Sequence, residues 1–196
     1  MIFELISYSL SGFFMNMSDE FMDEKDNMAL AIVTGLLCVI FTLLVCRVSA
    51  DAACIFLSIL IGTALACKVD SVNHILSAIV FAALLFIFNF PSFSLYALVL
   101  CTIAAFVDEK GNDRSDEIEL VGSSSDRGLL YTFFKYRYAL KIMVFALSLM
   151  GLIKMTFGGF LAGIYCFSPL TIIYFLGFDL SYEAAGLIFD RCYDFF

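Results

Sequence analysis

Asn16, Asp19, Asp23 and Asp26 follow one another at spacings of 3, 4 and 3 residues. That is the period of one helix face, so a helix through them carries a stripe of oxygen donors. Carboxylates one turn apart repel, and such a stripe is costly unless a cation or a basic surface joins it. Carboxylates with an amide among them suit Mg²⁺, which is typically held by one or two carboxylates together with substrate phosphates. A second segment repeats the pattern. Asp108, Asn112 and Asp116 recur four residues apart, with Glu109, Lys110, Asp113 and Arg114 between them. Gly111 leaves an alternative open, because a glycine can also end a helix and turn the backbone. Either segment alone reads first as a solvated loop; two of them, each directly after an apolar run, make a stronger case.

The elements that must position these residues follow from composition. Of 196 residues, 62% are hydrophobic and 15% charged, the mean hydropathy is +0.98, and there are only 2 Pro. A soluble domain runs about 45–50% apolar and about 25% charged. No water-soluble packing hides so much apolar surface at this size. The chain therefore reads as an all-α, polytopic membrane helix bundle. Disordered, nucleic-acid-binding and secreted disulfide classes are excluded, and a net charge of −8 argues separately against a phosphate-backbone partner. Apolar segments at 3–17, 28–46, 52–67, 75–89, 92–107, 138–153 and 158–177 give about seven transmembrane helices. Arg47 and Asp51 fit a tight turn between the second and third. Asn89-Phe90-Pro91-Ser92 breaks the stretch 75–107 into a hairpin. A single helix there would be about 50 Å long, against a hydrocarbon core of about 30 Å. Residues 1–178 form the bundle, with acidic loops at 18–27 and 108–127. Residues 179–196 form an amphipathic tail, with Asp179, Glu183, Gly186, Asp190 and Asp194 at spacings 4, 3, 4 and 4. Met1-Ile2-Phe3-Glu4 lacks the basic region of a signal peptide, so the first apolar stretch is expected to stay in the mature protein.

The charges test this topology. Take side A as the face reached after the first span. Nine of the eleven Lys and Arg then fall on side A, leaving Arg47 and Lys154 opposite. The positive-inside rule makes side A cytoplasmic, with the N-terminus outside and both acidic loops and the C-terminus inside. Seventeen of the nineteen carboxylates share that side, so the whole net charge of −8 lies there. Between the acidic segments, Lys68, Asp70, Asn73 and His74 form a third polar turn on the same face. Seven cysteines include no C-x-x-C pair, and the one histidine cannot complete a Cys/His zinc set. They read as small residues packing between helices. Pro169 is expected to kink the last span, Gly159 and Gly163 to let helices approach closely, and residues 118–128 to form a loop able to act as a lid.

Asn16-x-x-Asp19-x-x-x-Asp23 resembles the first motif, N-D-x-x-D-x-x-x-D, of the UbiA superfamily of intramembrane prenyltransferases. Asp108-Glu109-Lys110-Gly111-Asn112-Asp113-Arg114 resembles its second, written D-x-x-G-D-R in many members. The family, too, separates its motifs by four helices and keeps both on the cytoplasmic side. This chain departs from the pattern in reading Met15-Asn16-Met17 where the family has its N-D dipeptide, so that one acid is absent, and in having Asn112 four residues beyond Asp108. The resemblance implies a Mg²⁺-dependent enzyme of the membrane that transfers an isoprenoid from a prenyl diphosphate to a lipid or aromatic acceptor. It implies Asp19, Asp23, Asp108 and Asp113 as catalytic, metal-holding residues. Asn16, Lys68, Asn112, Arg114, Lys135 and Arg137 would then hold the diphosphate, Arg in two-pronged fashion and Lys as a point charge. The default reading of Lys135-Tyr136-Arg137 is an interfacial anchor near anionic headgroups.

Two other classes stand against the transferase. A small transporter or permease would show ionisable groups in mid-membrane, and of the acidic and basic residues only Glu4 and Lys141 lie within spans, each near an end. A non-catalytic membrane subunit would use the acidic side as a docking face for a basic partner.

Overall fold

The computed structural model describes residues 1–88, 92–121, 128–158 and 163–193. Among these residues eight helices follow in order: α1 (Ile2–Asp23), α2 (Met28–Cys46), α3 (Ala50–Leu65), α4 (Val72–Ile87), α5 (Leu95–Val121), α6 (Leu129–Lys135), α7 (Tyr138–Phe157) and α8 (Thr171–Arg191). Among the described residues there is no strand. Helices α2, α7 and α8 are long and apolar enough to cross a membrane, while α3 and α4 are apolar but shorter. The chain forms two compact units. The first comprises Met1–Ala53, Val69–Ser92 and Ile173–Phe196, the second Cys54–Lys68 and Phe93–Ile172.

Local sequence accounts for two helix starts. Asn27 accepts from the Leu30 N–H at 3.2 Å and caps α2, and Ser49 does the same for the Ala52 N–H at 3.2 Å as α3 begins. The acidic residues do not end α1, which runs on to Asp23. Nor does Gly111 end α5. Phe134 of α6 lies directly against that glycine, and polar pairs such as Asn112 to Asp116 at 3.1 Å brace the exposed turns that follow.

The last span departs from expectation. The apolar run 158–177 predicts one helix kinked at Pro169, but residues 163–170 are not helical and α8 starts at Thr171. Proline lacks the N–H and pushes its predecessor out of the helical region, so it stands ahead of the helix rather than inside it. From Thr171 the helix runs unbroken to Arg191, through the residues expected to form a separate tail. The turn at 89–91, the loop residues 122–127, Gly159 of the expected small-residue pair and Asp194 of the tail stripe lie outside the described residues.

Directions within the first unit follow from which residues meet. Ser11 bonds Thr42 at 2.6 Å and Ser18 donates to the Ala31 carbonyl at 2.8 Å, so α1 and α2 are antiparallel. Gly35 lies against Ser77, and Arg47 stacks over Phe88 at 5.5 Å, so α2 and α4 run the same way. Along α8 the partners climb with α1: Gly177 meets Leu5 and Ser9, Phe178 meets Gly12, Tyr182 meets Asp19, and Phe189 meets Phe21. Helices α1 and α8 are parallel. One end of this unit therefore gathers the C-terminal turns of α1 and α8 with the N-terminal turns of α2 and α4. In the second unit, Ser58 donates to the Leu98 carbonyl at 3.2 Å and Lys110 to the Ala66 carbonyl at 2.9 Å, so α3 and α5 are parallel there.

Candidate functional sites in the two units

The gathered end of the first unit is strongly acidic. Asp19, Glu20, Asp23 and Glu24 crowd the last turn of α1, which holds no basic residue, and Asp190 comes from α8. A helix C-terminus already carries partial negative charge, so these carboxylates stand where the backbone field opposes them. Two groups answer Asp19. His74 Nε2 lies 2.7 Å from Oδ1, and the Tyr182 hydroxyl donates to Oδ2 at 3.0 Å. One carboxylate thus ties α1 to α4 and α8. Below it the wholly buried Asn73 donates its amide to Ser18 Oγ at 2.9 Å. Asp23 stays exposed, yet partial burial and the nearby Asp19 charge raise its carboxyl above the usual range. Burial and the carboxylates of Asp190, Glu24, Asp19 and Asp23 raise Glu20 likewise. Asn16, which spacing puts in the stripe with Asp19 and Asp23, instead faces α8: its amide lies with Glu20 against Gly186.

The bond to Asp19 holds His74 above its ordinary value. A histidine raised on folding contributes stability below its unfolded pKa and loses it as pH rises through the folded one. The detergent-purified protein should therefore lose stability on going from about pH 6 to pH 8–9, by no more than about 1 kcal/mol because the ring is part exposed and screened. Melting curves of wild type and His74→Gln across that range check this. A variant with the same pH slope as wild type would show that the His74–Asp19 pair is not its source.

The second unit carries Lys68, Asp108, Asn112, Asp113, Arg114, Lys135 and Arg137, and here nearly every charge already has an opposite. Asp113 pairs with Lys68 and, at 3.4 Å, with Lys110. Lys68 holds Asp113 below the usual carboxylate range, and Asp113 raises Lys68 in return. Lys135 bonds the Tyr131 hydroxyl and both oxygens of Glu119 at about 3 Å. Arg114 reaches Glu117 at 3.4 Å and Arg137 reaches Glu109 at 3.7 Å. Asp108 is different in kind. It is 2% exposed, and its two oxygens accept from the backbone N–H groups of Ala139 and Leu140 at 2.8 and 2.7 Å. Those are the second and third amides of α7, for which Arg137, preceding the helix at φ +50°, supplies no side-chain cap. Asp108 is the cap of α7, supplied from α5. Burial pushes its carboxyl upward, and the two amides pull it back.

These arrangements decide how far an implied Mg²⁺ fits. Among the described residues no three of His, Cys, Asp and Glu are grouped to hold a metal ion. Asp108 and Asp113 have their oxygens committed to a helix terminus and to lysines, and do not fit one. Asp19 and Asp23, one turn apart, are carboxylates of the kind hard cations take, but both oxygens of Asp19 are likewise engaged, by His74 and Tyr182, which leaves Asp23 as the carboxylate of the pair that a cation would meet first. No protein-family model matches this chain, and neither a curated protein nor a solved structure is found similar to it.

Proposed function

We propose that this chain is an integral membrane protein of seven crossings, α1 to α5, α7 and α8, with α6 too short to span. The proposal puts the acidic ends in the cytoplasm and the N-terminus outside. Nine of eleven Lys and Arg on one side support it, as do the parallel pairs α1 with α8 and α2 with α4, which alternating crossings require. The ligand we propose is a prenyl diphosphate carried by Mg²⁺ at the acidic end of the first unit, in a UbiA-type transfer to a lipid or aromatic acceptor. The observation that carries this reading is the excess of carboxylate at the negative end of α1, which a cation-borne ligand relieves. Asp19 and Asp23 would hold the ion, His74 and Tyr182 orienting Asp19. The ion would neutralise charge on the departing diphosphate. Asp108 enters only as the residue that positions α7.

One observation favours a second reading. Most charges among the described residues of the second unit pair with one another, which suits a non-catalytic subunit whose acidic end docks a basic partner. Thermal melting with and without Mg²⁺ and geranylgeranyl diphosphate separates the two. A stabilisation that needs both ligands and disappears in Asp23→Asn supports the transfer reading. Stabilisation by a lysine-rich peptide alone, lost at high salt, supports docking and ends the first reading.

A further inference from the structure

On the seam of α1 and α8, Asn16 and Glu20, one turn apart on α1, lie against Gly186 of α8, and the exposed Asp190 follows Gly186 by one turn. Asn16 is 7% exposed and its Oδ1 has no hydrogen-bond partner. A buried amide oxygen without a donor bears its desolvation cost uncompensated, so such an atom asks for a ligand. It does not stand alone. Asn16 Oδ1 and Glu20 Oε1 both lie 3.4 Å from the point where a side chain on Gly186 would begin. The missing Cβ leaves a recess bordered by these two oxygens and, at 3.7 Å, by the Asn16 amide nitrogen, and Asp190 stands one turn further along α8. Nearby cations do not fill that need: Lys25 is drawn away to the ring and carbonyl of Tyr193.

We propose that this recess seats a divalent cation, held by Asn16 Oδ1, Glu20 and Asp190 and fastening α1 to α8. An amide oxygen with two carboxylates is hard-donor chemistry, which selects Mg²⁺, Ca²⁺ or Mn²⁺ over softer metals. The seat does not rest on the prenyl diphosphate reading, since neither Asp19 nor Asp23 takes part.

The test is melting of the full chain in detergent, chelated and then titrated with Mg²⁺, Ca²⁺ or Mn²⁺ alone at constant ionic strength. At a hundredfold excess over Kd, one of the ions should raise the melting temperature by about 5–10 °C. Glu20→Gln should lose that shift. So should Gly186→Ala, whose methyl group fits at ordinary contact distance and fills the recess without unfolding the seam. Asp23→Asn should keep it, although it abolishes any further shift by prenyl diphosphate, so the two proposals fail separately. A shift that survives in both Glu20→Gln and Gly186→Ala would overturn the seat. So would a wild type that none of the three ions stabilises, or one stabilised only by acid, which would mean that a proton on Glu20 satisfies Asn16.

Discussion

Asp108→Ala should destabilise the purified protein by about 2–4 kcal/mol, enough to lower its melting temperature by about 5–15 °C. The loss has a definite source. Two backbone N–H groups at the start of α7 lose their only side-chain acceptor, and the site is too buried for water to replace it freely. Asp108→Asn should fall between, because it keeps one acceptor and turns an amide NH₂ toward the second N–H. The sign of the effect is the informative part. A carboxylate kept for a metal stands among repelling neighbours, and removing it without the metal relieves repulsion. Asp23→Asn should behave that way, neutral or slightly stabilising in the absence of ligand, since folding has raised its carboxyl. Melting curves of the three variants side by side are the measurement. Asp108→Ala melting at or above wild type would refute the cap and restore Asp108 to the list of candidate ligands.

The contrast between Asp23 and Asp108 also marks what the sequence could tell. Helical spacing sufficed to extend α1 to Asp23 and to put Asp108, Asn112 and Asp116 on one helix, because local periodicity is a property of neighbours in the chain. The role of Asp108 was not local. Its partners lie 31 and 32 residues away, and a D-x-x-G-D-R-like run draws attention to chemistry rather than to capping. A signal was present all the same: Lys135-Tyr136-Arg137 offers none of the Ser, Thr, Asp or Asn that begin a helix, so the amides of α7 needed an acceptor from elsewhere. His74 was visible as part of a polar turn with Asp70 and Asn73, but its pairing with Asp19 across 55 residues was not. Tyr182 gave no sign. The last span shows the opposite limit. Hydropathy alone cannot separate an apolar helix from an apolar extended segment, and Pro169 decides the matter only when its place at a helix start is weighed against a kink.

Three glycines on the α1–α8 seam should give three different results when changed to alanine, and the ranking tests the parallel packing itself. A Cβ on Gly12 would lie 2.1 Å from the Phe178 carbonyl oxygen. That atom is backbone, so the two helices must part. The cost of such overpacking is about 1–3 kcal/mol and occasionally more, offset by about 1 kcal/mol of better helix propensity. A net loss of about 2 kcal/mol is expected. On Gly177 the obstacle is Leu5 Cδ1 at 2.8 Å, the far end of a flexible side chain. It can swing away, and the substitution should be close to neutral. On Gly186 the nearest atoms stand at 3.4 Å, so alanine fits and the propensity gain remains, about 0.5–1 kcal/mol of stabilisation in the absence of divalent cations. The expected order of melting temperature is Gly186→Ala highest, Gly177→Ala near wild type and Gly12→Ala lowest, all measured with chelator present. The order depends on register. Sliding α8 by one residue would turn different atoms toward each glycine, and an antiparallel α8 would bring Gly186 rather than Gly177 toward Leu5. Equal effects at the three positions would therefore reject the packing that gathers Asp19, Glu20 and Asp190 at one end, and with it the acidic site on which both proposals depend.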